Sequence, residues 1–126
     1  MEKIILTNMC LIENKKTKEV LTINRVKDWC GVAFPGGHIE EGEPIVLSVI
    51  REIKEEVNLN VIDYTYNDNE YYQPSNTLMH NYAVVVDSED FKLTNEVDEA
   101  HWYSIEESRK EIKQGSLAHS FLERYL

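Results

Sequence analysis

The chain has 126 residues, 42% of them hydrophobic, and a formal net charge of −10 from 23 Asp and Glu against 13 Lys and Arg. That length suits a single domain over residues 1–126, with a core large enough to fold without a metal or disulfide staple. So acidic a balance argues against a nucleic-acid polymer as partner, because phosphate neutralisation by Lys and Arg dominates such affinity; a small phosphate ligand recruited by bound cations remains compatible.

Cys10 and Cys30 make no CxxC pair, the N-terminus has no basic-then-apolar leader, and no apolar run reaches membrane-spanning length. The expectation is a cytoplasmic protein, monomer or homodimer, with no membrane partner and with both cysteines acting as small buried hydrophobes. Residues 4–12 (IILTNMCLI) are a near-continuous apolar run, as in a strand covered on both faces. Asn14 to Lys18 make a polar turn, and Val20 to Val26 alternate well enough to pair back as a hairpin. Trp29 to Pro35 lead into a turn at Gly36 and Gly37, where missing side chains permit unusual backbone conformations and close approach.

Pro44 suits the first position of a helix, since its missing N–H would be unpaired there in any case. Val46, Val49, Ile50, Ile53 and Val57 recur at helical spacing and form a stripe for the core. Glu52, Glu55 and Glu56 stand at i, i+3 and i+4, projecting away from most of that stripe. Each like-charged pair at this spacing costs roughly 0.2–0.5 kcal/mol, and within the helix only Arg51 is placed to offset it. Carboxylates with no Cys or His ligand nearby suit a hard divalent cation, Mg²⁺ or Mn²⁺; the alternative is a solvated acidic helix face.

The stretch GGHIEEGEPIVLSVIREIKEEVNL decides between these, because it resembles the Nudix box, G-x5-E-x7-R-E-U-x-E-E-x-G-U with U aliphatic. Gly37, Glu43, Arg51, Glu52, Ile53, Glu55, Glu56 and Leu59 fall at the required spacing, and Asn58 stands where the family has glycine. The preceding Phe34-Pro35-Gly36-Gly37 also looks like the family's approach to the box. The resemblance implies an α/β fold, a Nudix-type α/β/α sandwich with a mixed β-sheet, and metal-dependent hydrolysis of a nucleoside diphosphate linked to another moiety. It further implies Glu52 and Glu56 as the main metal ligands, the Gly36 carbonyl as another, and Glu55 as a third carboxylate ligand or the base that orients water. Arg51 is expected to orient a glutamate by a charge-assisted hydrogen bond. Some relatives use a basic residue near the end of the second strand on substrate phosphate, which marks Arg25; Gly37 and His38 are the remaining substrate-side candidates, with simple exposure the other reading of Arg25 and His38.

Past the box, Val61 to Tyr66 has strand character and NDNEYYQPSN reads as a loop, whose Tyr71 and Tyr72 are placed to stack on a base or sugar or to pack at the loop base. Pro74 in that loop resembles a proline of some ADP-ribose-hydrolysing relatives. Leu78 to Val86 is a β-branched, central strand, Asp87 to Asp98 is acidic and irregular, and His101-Trp102-Tyr103 is a short strand. Relatives often place another metal-binding carboxylate here, for which Glu99 is preferred to Glu96. Ser104 and Glu107 form a capping-box pattern, and after Gly115 and Ser116 a last amphipathic helix docks through Leu117, Phe121 and Leu122. VAFPGGHIEEGE together with LTNMC looks like MutT-like proteins assigned as 8-oxo-dGTP diphosphatases, giving that substrate as the leading expectation. Hydrolysis of ADP-ribose or another nucleoside diphosphate derivative is the alternative, and an inactive Nudix-fold nucleotide-binding module is the reading from a different class.

Overall fold

The computed structural model describes residues 3–25, 31–93 and 97–126; the side chains of Arg25 and Asp98 are outside that description, as are Cys30 and Glu96 entirely. In chain order the elements are β1 (Ile5–Asn14), β2 (Val20–Arg25), β3 (Gly31–Ala33), β4 (Gly36–His38), α1 (Ile45–Val57), β5 (Val61–Tyr72), β6 (Thr77–Val86), β7 (Val97–Tyr103), α2 (Ile105–Glu111) and α3 (Leu117–Tyr125). Among the described residues seven strands join in one sheet in the order β3-β2-β1-β6-β5, with β4 beside β1 and β7 beside β2. β1 runs parallel to β6, while its pairings with β2 and β4 are antiparallel, so the sheet is mixed.

The apolar run of β1 serves two cores, because successive side chains point to opposite faces. Cys10 and Ile12 pack with Val49, Ile53 and Val57 of α1, whereas Met9 and Leu11 pack with Phe121 and Leu122 of α3. Burying each such Leu or Ile stabilises the fold by about 1.5–3 kcal/mol, and both faces do so, which makes the expected α/β/α sandwich. Among the described residues, no helix is long and apolar enough to cross a membrane.

Local expectations meet three corrections. Pro44 has φ −59° and ψ 140°, so it caps α1 instead of occupying its first turn. Ile50 keeps 38% of its surface exposed, at the outer flank of a stripe on which Val49, Ile53 and Val57 are fully buried. The segment expected as a loop is mostly strand: β5 continues to Tyr72, paired with Thr77, and only Gln73–Ser75 turn, as a 3₁₀ element. Pairing with β6 supplies hydrogen bonds that override the local preference of Asn67 to Asn69, and a bulge between Tyr66 and Asp68 absorbs the misfit. The capping at Ser104 is as expected, its side chain accepting from the Glu107 N–H, and Ser116 caps α3 in the same way.

Asn58 ends α1 in the left-handed region, with φ 56° and ψ 39°, and its N–H donates to the Lys54 carbonyl. Asparagine thus takes the backbone role of the box glycine, since its short amide enters this region more readily than most side chains. Asn58→Gly is expected to leave the melting temperature and site unchanged, while Asn58→Val should lower stability by about 1–2 kcal/mol. Equal chemical denaturation of the Val variant and the parent would refute this.

Candidate functional site

The site is built where α1 crosses β4. Gly36 and Gly37 form a strand, not a turn, pairing with Met9 and Asn8, and neither has a positive φ. Their need is for space. A Cβ on Gly36 would lie 2.2 Å from the Asn8 carbonyl oxygen, and one on Gly37 would lie 2.6 Å from the Glu52 carboxyl carbon. The glycine pair therefore lets β4 touch β1 on one side and the Glu52 carboxylate on the other.

Arg51 ties the box together. Its Nε and one terminal nitrogen donate to both carboxylate oxygens of Glu43, at 2.8 and 3.0 Å, a bidentate pair. It also donates to Glu52 Oε1 at 3.0 Å, to Glu55 Oε2 at 3.3 Å, and to the His38 carbonyl at 3.1 Å. The Glu43 bonds, ahead of the nearby Glu52 charge, push the guanidinium pKa further up. In return, Arg51 holds the Glu43 carboxyl below its ordinary value, helped by the Glu40 backbone.

The three helix carboxylates, expected on one side away from the core, divide. Glu56 is 2% exposed and faces inward beside the core stripe, Glu52 is half-buried, and the Glu55 side chain is 60% exposed. The cause is helical geometry: Glu52 and Glu56, one turn apart, fall on the flank next to Val49, and Glu55 falls further round toward solvent. Burial raises the Glu52 pKa, against the opposing pull of Arg51. Its side chain is 12% exposed and Glu56 lies one helical turn on, so two desolvated carboxyl groups stand side by side on this flank. Among the described residues no three acidic, His or Cys side chains converge into a finished metal cage.

These shifts set opposite slopes of stability with pH. Glu43, lowered from 4.5, contributes fully above that value and loses its contribution as pH falls below it. Glu52, raised from 4.5, binds its proton more tightly in the folded state, so stability falls as pH climbs from 4.5 through the folded value. In chelator, Glu52→Gln is expected to gain on the parent in melting temperature between pH 4.5 and 7. Parallel curves would remove Glu52 as the source.

On the other face of the sheet, a cavity of about 520 Å³ opens beneath residues 113–118. Its lining includes Thr7, Met9, Phe34, Tyr72 and Met79, and Gly36 and Gly37 form the wall shared with the carboxylate side. Arg124 of α3 donates to Asp68 at 2.5 Å and to Glu70 at 2.7 Å, pinning the helix to β5 beside this cavity. His38 is exposed and lines the cavity edge; Tyr72 lines it too, while the exposed Tyr71 bonds Asn76 instead. Arg25 ends β2, and its side chain lies outside the described residues, as does Glu96. Glu99 lies on β7 opposite Asn24 of β2, exposed, with its carboxylate 3.2 Å from the His101 ring. Sequence reasoning missed Asn8, Ser48 and the 113–118 lining; only Asn8 left a signal, as a lone amide in an apolar strand.

Comparison with known proteins bears on the family and the fold. A family model described as NUDIX domain matches residues 5–125. A protein named NAD-capped RNA hydrolase NudC from Mycobacterium tuberculosis (strain ATCC 25177 / H37Ra) is 30% identical over 111 residues, covering 85% of this chain and 35% of that one. The chain spans about a third of the length of the curated relatives it matches. Among solved structures, a NUDIX hydrolase from Nitrosomonas europaea superposes with a TM-score of 0.79 at 24% identity, over 98% of this chain and 88% of the other. The NUDIX domain of Shewanella oneidensis NrtR, complexed with ADP ribose, superposes with a TM-score of 0.84 at 13% identity, over 99% and 88%. These structural likenesses speak to the fold, and the family match spans nearly the whole chain with the box residues in place: this protein belongs to the Nudix hydrolase family.

Proposed function

We propose that this chain is a divalent-metal-dependent pyrophosphohydrolase acting on a nucleoside diphosphate linked to another moiety. The observation that carries the reading is the Glu52–Glu56 pair, two desolvated carboxyl groups one helical turn apart, with Glu52 set against Gly37 of β4. Oxygen-only donors at a desolvated carboxyl pair fit a hard cation, Mg²⁺ or Mn²⁺. Glu52 and Glu56, with the Gly36 carbonyl as a further donor, would hold it, which leaves Glu55 for the second of its two expected roles, the base. When bound, such a cation neutralises charge on the nonbridging phosphate oxygens and favours ionisation of water.

The rest of the chemistry belongs to the chain. Arg51 fixes Glu52 and Glu55 at once through one nitrogen, so the two carboxylates keep a set spacing. Glu55, at the solvent edge, accepts at Oε1 the proton of the attacking water, its Oε2 being held by Arg51. The new P–O bond forms as the anhydride P–O bond breaks, yielding two phosphate-bearing products. The nucleoside sits in the cavity across Gly37, whose volume falls within the ~300–1,000 Å³ usual for ligand pockets.

The attached group is a finer question. The VAFPGGHIEEGE and LTNMC segments support 8-oxo-dGTP. The relatives named for NAD-capped RNA and the neighbour bound to ADP ribose support an adenosine diphosphate carrying a second moiety, for which ADP-ribose is the simplest probe. Purified protein with Mg²⁺ or Mn²⁺ is expected to release a nucleoside monophosphate from at least one of 8-oxo-dGTP, dGTP, ADP-ribose, NAD and dinucleoside polyphosphates. Binding without metal-dependent turnover across that panel would favour the inactive binding module.

A further inference from the structure

Asn8 is out of place on its strand. The side chains two and four residues on, Cys10 and Ile12, share its face and lie in the apolar core, yet Asn8 is only 2% exposed. An amide buried there is tolerated only when paired; besides the Cys10 thiol of its own strand, which donates to Oδ1 at 3.7 Å, its partners come from two other elements. Its Nδ2 donates to the Ser48 hydroxyl at 2.8 Å, and its Oδ1 accepts from the Gly37 N–H at 3.3 Å. Ser48, fully buried, donates in turn to the Ile45 carbonyl at 2.6 Å, which anchors the bridge in the first turn of α1. Ser48 is one helical turn before Glu52, so both side chains leave α1 on the same face. Gly37, at the other end of the bridge, is the residue against which the Glu52 carboxylate rests.

We propose that Asn8 is a positioning residue of the site: by joining the Gly37 N–H to Ser48 it sets the gap between β4 and α1 in which the Glu52 carboxylate is held. The inference rests on the proposed role of Glu52 and Glu56. A purely stabilising amide would have a simple substitute, because replacing both partners of a buried bond by apolar groups is close to neutral. The Asn8→Leu/Ser48→Ala double variant removes both partners of the Asn8–Ser48 bond while keeping the site filled, and the Gly37 N–H that loses its acceptor belongs to a half-buried residue on the cavity wall, open to water.

The test compares parent and double variant by thermal melting in chelator and by calorimetric titration with Mn²⁺. The expected result is a melting temperature close to the parent's with Mn²⁺ affinity weakened about tenfold, the lower end of what loss of a ligand-orienting partner brings. Parent-like Mn²⁺ affinity in the folded double variant would overturn the role. Should that variant not fold, Ser48→Ala alone removes the helix end of the bridge, and it is expected to weaken Mn²⁺ at least threefold; unchanged affinity there would overturn the proposal equally. A parent protein that binds no Mn²⁺ would instead sink the proposed function, so the two failures are distinguishable.

Discussion

Glu56→Gln is expected to keep the fold and to lose turnover by on the order of a hundredfold, with a matching loss of Mn²⁺ affinity. Glu56 is the most deeply buried carboxyl of the box, one helical turn from Glu52. The amide has the same size and can donate to the Glu52 carboxylate, so packing is retained. What disappears is the negative charge a cation would need. Because a buried carboxylate is disfavoured until something neutralises it, the metal-free variant should melt at or above the parent's temperature. The decisive comparison is therefore between opposite signs: stability unchanged or improved, activity collapsed. Parent-like turnover in this variant would take Glu56 out of the site.

Gly36→Ala is expected to have the largest effect on stability, and its neighbour supplies the control. The added Cβ would meet the Asn8 carbonyl oxygen at 2.2 Å and the Met9 Cα at 2.9 Å, both backbone atoms of β1 that cannot move without opening the β1–β4 pairing. Overpacking against such immobile atoms should cost about 2–3 kcal/mol and lower the melting temperature by about 10 °C. At Gly37 the nearest atoms belong to the Glu52 carboxylate, the far end of a flexible side chain. Gly37→Ala should thus melt near the parent while displacing Glu52 and weakening turnover. Melting curves and Mn²⁺ titrations on both variants read this contrast; similar melting temperatures for the two would contradict it.

Much of the scaffold was legible from the residues because local physics and tertiary packing agreed there. The β1 run reads as a strand covered on both faces, and it is so covered, by α1 and by α3. Asn58 reads as a left-handed helix end, and Ser104 reads as a cap, since each depends only on backbone geometry within a few residues. Where long-range pairing outweighed local preference, the reading failed: NDNEYY looks like a loop and becomes half of β5, because β6 offers it a partner strand that no local pattern reveals.

The candidate site divides in the same way. The spacing of Arg51, Glu52, Glu55 and Glu56 by itself determined which side chains share a helix face, and hence that carboxylates gather there, because the helical repeat is a local property. Only the tertiary structure decided how they differ: the sheet beneath α1 desolvates Glu56 and part of Glu52 but leaves Glu55 in water. It also decided why the glycine pair is there, through contacts with Asn8 and Glu52 that are distant in sequence, and it set Glu99 opposite Asn24 through the pairing of β7 with β2. Burial and close approach depend on which elements meet, and that information lies in the packing of the whole domain, not in any one stretch of it.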